Sequence, residues 1–239
     1  MTRPAREPEV LAVPTRAGPG RLFVDPASEP RATLVLGHGA GGGVAAPDLE
    51  LLARRLPAAG GTVVRFEQPW RTAGGRVAVR PERLDLGWVD ALEHLLGSGR
   101  VTGPLYVGGR SAGARVACRT ASAYEVAGVV CLAFPLHLPG RPERSRLAEL
   151  LTPTAPRLVL QGTRDAFGSA AELEAAVGGA LGITVVPLTG ADHSFRAAAG
   201  GPMPPVALRD QVVTSVLHFL ALKNAGVGPA GSGGGSTPK

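Results

Sequence analysis

LYVGGRSAGARVAC, residues 105–118, joins a short apolar run to an Ala-rich segment through a turn with Gly at 109 and 113 and Ser at 111. Leu105-Tyr-Val107 has the make-up of a buried strand, and Ser111 to about Ala121 that of a helix. A bare G-x-S-x-G arises often by chance. Set between a strand and a helix, it reads as a nucleophile elbow. The sharp turn strains the backbone at Ser111 and lifts its hydroxyl above the sheet. Gly109 and Gly113 carry no side chain, so strand and helix can approach closely. The helix N-terminus points its N–H groups at the site and favours developing negative charge.

Working outward, strands and helices alternate. Val10–Val13 and Leu22–Val24 flank a Pro/Gly turn and predict an antiparallel hairpin. Ala32–Leu36 is a strand that runs into the glycine loop Gly37–Gly43. A helix is expected from Leu49 to about Ala59, ended by Gly60-Gly61. Thr62–Phe66 is a strand, and Pro81–Leu96 a helix with Leu84, Trp88, Leu92 and Leu95 at helical spacing. After the elbow come a strand at Val126–Phe134, a short helix at Arg144–Leu151, a strand at Arg157–Leu160 and a helix at Ala170–Val177. Ile183–Val186 is the last strand and Val206–Leu222 the last helix. This order predicts parallel βαβ units in a three-layer αβα sandwich, an α/β fold with a mostly parallel sheet. Residues 9–224 form the expected domain, with 1–8 and the Gly/Ser/Pro-rich 225–239 as flexible ends.

In such sheets the ligand crevice lies beyond the carboxyl ends of the strands, so residues just after each strand carry the chemistry. A serine hydroxyl needs a base. Of five histidines, His94 and His218 fall inside helices, His94 as a structural or surface residue and His218 as a packed one. His193, in Gly190-Ala-Asp-His-Ser-Phe195, follows the last strand and is the expected base. Asp165, in the loop after Arg157–Leu160, is the expected orienting acid, accepting the Nδ1 proton of His193. Asp192 is the rival. Neighbouring loop residues rarely orient each other's side chains, so Asp192 reads as a loop-shaping acceptor. The oxyanion donors are expected to be the backbone N–H groups of Ala112 and Ala40. As a phosphate cradle the loop 37–43 fails. It lacks the G-K-[ST] ending, and its G-x-G-x-x-G match is a by-product of a Gly-rich run.

Composition agrees with an enzyme-sized globular domain. Hydrophobic residues are 44% and charged residues 18% of 239, enough for a sizeable core. The net charge of +6 does not point to nucleic acid, because the arginines are scattered and form no basic stripe. Cys118 and Cys131 are not in a CxxC pair and read as reduced core thiols. No H-E-x-x-H or similar spacing suggests a metal, and no cofactor is expected. The N-terminal stretch has no apolar signal-peptide core and no run reaches about 18 apolar residues. A cytoplasmic protein, monomeric or homodimeric, is the expectation.

These motifs together resemble the α/β-hydrolase superfamily. More narrowly they resemble small bacterial dienelactone-hydrolase-like proteins related to a mammalian testis-expressed hydrolase-like protein and to a subunit of a chromatin acetyltransferase complex. GHGAGGG (37–43), GGRSAGAR (108–115), AFPLHLPGRPER (133–144), LQGTRDAFG (160–168) and GADHSF (190–195) carry the likeness, within residues 31–222. The resemblance implies a Ser111–Asp165–His193 triad and an oxyanion loop at Ala40.

The expected function is therefore a serine hydrolase acting on a small-molecule ester or thioester. The alternative is a hydrolase-fold scaffold with an unused triad. Only about 22 residues separate the strand ending at Phe134 from the next, room for one short helix as a minimal lid. His38, Trp70, Phe134, His137, Phe167 and Phe195 all follow strands and are the candidate pocket residues. Arg71 and Arg110 are candidates to attract an acidic substrate, though a residue at the x of the elbow, like Arg110, is more often structural or on the surface.

Overall fold

The computed structural model describes residues 7–198 and 200–222. Most of the expected N-terminal segment 1–8 and all of the expected tail 225–239 lie outside the described residues. Two antiparallel strands open the fold, β1 (Glu9–Thr15) and β2 (Gly18–Asp25), paired from Glu9–Val24 to Thr15–Gly18. Then follow β3 (Ala32–Gly37), α1 (Pro47–Arg55), β4 (Gly61–Glu67), α2 (Pro69–Thr72), α3 (Pro81–Gly97), β5 (Leu105–Arg110) and α4 (Ala112–Thr120). The chain continues through β6 (Gly128–Leu132), α5 (Leu147–Leu151), β7 (Arg157–Gly162), α6 (Ala170–Val177), β8 (Ile183–Leu188) and α7 (Pro205–Phe219). The eight strands make one sheet in the order β1-β2-β4-β3-β5-β6-β7-β8. β2 meets β4 antiparallel, and every pair from β4 to β8 is parallel.

Side-chain alternation divides the core in two. Val35, Val107, Val129, Cys131 and Val159 face one side with Trp88 and Leu92 of α3, Val116 of α4 and Leu173 of α6. Leu34, Leu36, Tyr106, Val130, Leu132, Leu158 and Leu160 face the other, against Leu49 and Leu52 of α1 and Leu208, Val212 and Val216 of α7. The period of two along each central strand and of 3.6 along each helix produces the three layers directly. Cys118 and Cys131 are buried with their sulfurs 3.5 Å apart. Their mutual hydrogen bond, then burial, push the Cys131 thiol upward.

Several elements differ from the sequence expectation. The helix expected to reach Ala59 stops at Arg55, because Pro57 cannot donate to the preceding turn. A 3₁₀ turn, Pro57–Ala59, takes over and closes on Gly60 at φ +91°. The short α2 was not anticipated. α5 begins three residues later than expected, and β6 spans only Gly128–Leu132. His218 is exposed, not packed: Val213, Val216, Leu217 and Leu220 take the buried face of α7 and turn position 218 outward. The connection from β6 to β7 holds only α5, so among the described residues it forms no large cap over the carboxyl ends of the strands. Among the described residues no helix is long and apolar enough to cross a membrane.

Candidate active site

β5 delivers Ser111 to the head of α4. Ser111 has φ +50° and ψ −108°, a region costly for a residue with a Cβ. Its N–H is tied to the Leu132 carbonyl at 2.9 Å and its carbonyl accepts from Arg115 N–H at 3.2 Å. The elbow glycines are required for space. A Cβ at Gly113 would lie 2.2 Å from the Gly37 carbonyl oxygen, and one at Gly109 would lie 2.4 Å from the same atom. The turn that carries Ser111 is thus wedged against the end of β3, where the glycine loop begins.

Three side chains from three loops converge here. His193 Nε2 is 3.0 Å from Ser111 Oγ, and His193 Nδ1 is 2.7 Å from Asp165 Oδ2. The Asp165 side chain is fully buried. Its Oδ1 accepts from Phe167 N–H at 2.8 Å and its Oδ2 from the Gln161 amide at 3.1 Å. Because both carboxylate oxygens accept, the Nδ1 proton belongs to His193, and in the neutral imidazole Nε2 is the acceptor that faces the serine hydroxyl. Phe167 lies against the imidazole with ring centroids 4.2 Å apart. Asp192 shapes the loop: its Oδ1 accepts from Ser194 N–H at 2.7 Å and Arg196 N–H at 2.9 Å.

The site opens into a cleft of about 850 Å³, lined among others by Ala40, Ser111, Ala112, Phe167, His193 and Phe195. Ala112 is the first residue of α4, so its N–H has no acceptor one turn back. Among the described residues, Ala40 N–H has no backbone or side-chain acceptor either. Apolar side chains of Leu51, Leu138, Leu208 and Val212 complete the walls.

Four candidate pocket residues lie elsewhere. Phe134 is sealed in the core at 0% exposure: the chain leaves β6 through Ala133 at φ +51°, which turns position 134 inward. His137 is buried with Nδ1 2.9 Å from the Leu138 carbonyl, and Pro135 and Leu138 line the cleft in its place. His38 and Trp70 pack edge to face, ring centroids 5.5 Å apart, behind the glycine loop. His38 Nε2 accepts from Gln68 N–H at 3.1 Å, so its Nδ1 carries the proton and donates to the Gly39 carbonyl at 2.9 Å. Burial pushes the His38 imidazole below the ordinary histidine value, in keeping with this neutral form. The bond fixes the Gly39–Ala40 peptide and with it the direction of Ala40 N–H.

Two residues support the site: Gln161, not identified from the sequence, and Arg110, already a candidate there. Gln161 places its amide nitrogen near Asp165 Oδ2, the Phe134 carbonyl at 3.2 Å and the Gly168 carbonyl at 2.6 Å. A polar residue ending the apolar run Arg157-Leu-Val-Leu160 was the available signal. Arg110 Nη1 pairs with buried Asp48 at 2.6 Å, and Nη2 donates to the His193 carbonyl. Its guanidinium also lies 5.7 Å over the Phe195 ring. Arg110 therefore tethers the histidine loop to α1, and its charge is already matched. Arg110→Met is expected to destabilise the fold by about 3 kcal/mol, since it leaves Asp48 buried and unpaired. Adding Asp48→Leu should restore most of that loss in urea unfolding.

The comparisons with known proteins fit this architecture. No curated protein matches the sequence. Among solved structures, an α/β serine hydrolase homologue from Coxiella burnetii superposes with a TM-score of 0.72 at 18% identity. It covers 88% of this chain and 98% of its own. An α/β serine hydrolase without lid from Xanthomonas campestris gives a TM-score of 0.67 at 22% identity, covering 89% and 95%. Est1E from Butyrivibrio proteoclasticus gives 0.69 at 13% identity, covering 89% and 99%. At these identities the likeness is one of fold. The family model of the alpha/beta hydrolase domain matches residues 30–220, from the start of β3 to the end of α7. That span takes in the elbow, the glycine loop and both loops bearing Asp165 and His193, and the chain belongs to the alpha/beta hydrolase domain family.

Proposed function

We propose that this protein is a serine hydrolase of carboxylic esters or thioesters. The observation that carries this reading is the chain of hydrogen bonds from Ser111 Oγ through His193 to Asp165, 3.0 and 2.7 Å long, at the floor of the cleft. Ser111 Oγ attacks the carbonyl carbon as His193 Nε2 takes its proton. Asp165 holds the imidazole in orientation and stabilises the imidazolium that forms. The Ala40 and Ala112 N–H groups receive the oxyanion. His193 returns the proton to the leaving alcohol or thiol, leaving an acyl-Ser111. Water, deprotonated by the same imidazole, then releases the acid. Phe167 and Phe195 flank the acyl or leaving group.

On this reading residues 9–224 act as one catalytic domain. The narrower likeness to dienelactone-hydrolase-like proteins, carried by the stretches 133–144 and 160–168, belongs to the same proposal. A covalent intermediate has a kinetic signature. With p-nitrophenyl butyrate, the protein should release a rapid burst of about one p-nitrophenolate per molecule before the steady rate. A release that does not depend on Ser111 contradicts the proposal.

A further inference from the structure

The walls of the cleft carry arginine out of proportion. Arg110, Arg115, Arg146, Arg196 and Arg209 line it, with Asp48 as the sole Asp or Glu among the described residues. Two of the five are matched. Arg110 pairs with Asp48. Arg115 holds Glu149 in a fork of 2.8 and 2.6 Å. Glu149 is shared with Arg119 at 2.7 Å, and Arg119 forks onto Asp85, so this network has two cations and two carboxylates and none to spare.

Arg146 stands beside that saturated network. Among the described residues its guanidinium makes one hydrogen bond, from Nη1 to the Pro135 carbonyl at 3.3 Å, and no carboxylate lies within ion-pair distance. It is half-buried. Burial, then the charge of Arg115, depress its guanidinium from the ordinary arginine value. An anion arriving from outside the protein would stabilise a cation in such a place. Arg196 and Arg209 rise on the opposite side of the sheet, on the histidine loop and α7. They are exposed, and no acidic partner pairs with them among the described residues; Asp210 turns instead to Arg55. Leu51, Leu138, Leu208 and Val212 between these poles are apolar.

We propose that the substrate carries an anionic group, a carboxylate or a phosphate, on an apolar chain, and that Arg146 binds it while Ser111 attacks the ester. The guanidinium fork presents parallel N–H donors that match either anion. Arg196 and Arg209 raise the local concentration of such substrates by long-range attraction. This rests on the hydrolase reading above.

The test compares mono-p-nitrophenyl adipate, which ends in a carboxylate, with its neutral methyl ester, p-nitrophenyl methyl adipate. The wild-type protein should favour the anion by about 10- to 100-fold in kcat/KM, as one charged hydrogen-bonded contact implies. The preference should reside in KM. In Arg146→Gln the ratio should fall close to one. Arg164→Gln, at an exposed position away from the cleft, should keep the wild-type ratio. Thermal melts of both variants establish that they are folded. Inorganic phosphate and acetate, each as a competitor of the hemi-ester, then assign the anion, the better match inhibiting at the lower concentration. Equal turnover of the two esters, or a preference unchanged in Arg146→Gln, overturns this proposal while the hydrolase reading stands. No turnover of either ester by folded protein overturns both.

Discussion

Ser111→Ala is expected to lower kcat/KM for an activated ester by about 10⁴- to 10⁶-fold with no loss of folded structure. The size follows from how the three side chains work. In the proposed mechanism the serine supplies the bond-forming oxygen, the histidine moves the proton, and the aspartate fixes the histidine tautomer. Their contributions are not additive, because each needs the others. His193→Ala should therefore cost about as much as Ser111→Ala, and the double variant little more than either. Asp165→Asn should cost about 10⁴-fold through a different route. The amide can donate to Nδ1, which moves the imidazole proton to Nε2 and leaves no acceptor for the Ser111 hydroxyl. Its near-isosteric shape keeps the packing. Steady-state rates on p-nitrophenyl butyrate, with unfolding curves beside them, check the whole series. A Ser111→Ala protein within tenfold of wild type is incompatible with the mechanism.

The largest effect on folding should come from a single methyl group at the elbow. Gly113 lies within α4, where alanine would ordinarily gain about 1 kcal/mol over glycine. Here the sign reverses. The new Cβ would lie 2.2 Å from the Gly37 carbonyl oxygen and 2.4 Å from its carbon, both backbone atoms with no rotamer to adjust. α4 would have to move off β3, taking Ser111 away from His193. Gly113→Ala should lose at least about 4 kcal/mol, beyond the usual range for a point substitution. Gly41 and Gly42, in the same Gly-rich loop, offer the contrast. A Cβ at either meets nothing within 4 Å, and neither has a positive φ. Gly41→Ala and Gly42→Ala should change stability by less than about 0.5 kcal/mol. Urea unfolding midpoints separate these outcomes.

The contrast between the two sets of glycines shows what the linear sequence conveys. Residue order revealed the strand–turn–helix at 105–118, since a short apolar run gives way to an Ala-rich segment across a Gly-flanked Ser111. It also showed that Asp165 and His193 follow strands, because the apolar runs before them are short and bounded. It did not show which way a side chain turns on leaving a strand. Phe134 and Phe167 both follow strands, yet Phe134 enters the core behind Ala133 while Phe167 lies on His193. One positive φ decides the first case. Nor did order show long-range partners. Arg110 and Asp48 are 62 residues apart, and nothing local at either position announces the ion pair that tethers the histidine loop. Gln161 is the intermediate case. Its polarity at the end of an apolar strand was a visible but unused signal, and the three acceptors around its amide come from loops that only the fold assembles.

The central claim is that Ser111 is an activated nucleophile. Reaction of the folded protein with a fluorophosphonate probe, followed by mass mapping, tests it most directly, since the probe bonds only to a serine whose proton is being withdrawn. A near-stoichiometric adduct on Ser111 is expected, absent in Ser111→Ala and strongly reduced in His193→Ala. A well-folded wild-type protein that gives no adduct, or one whose adduct maps to another residue, contradicts it.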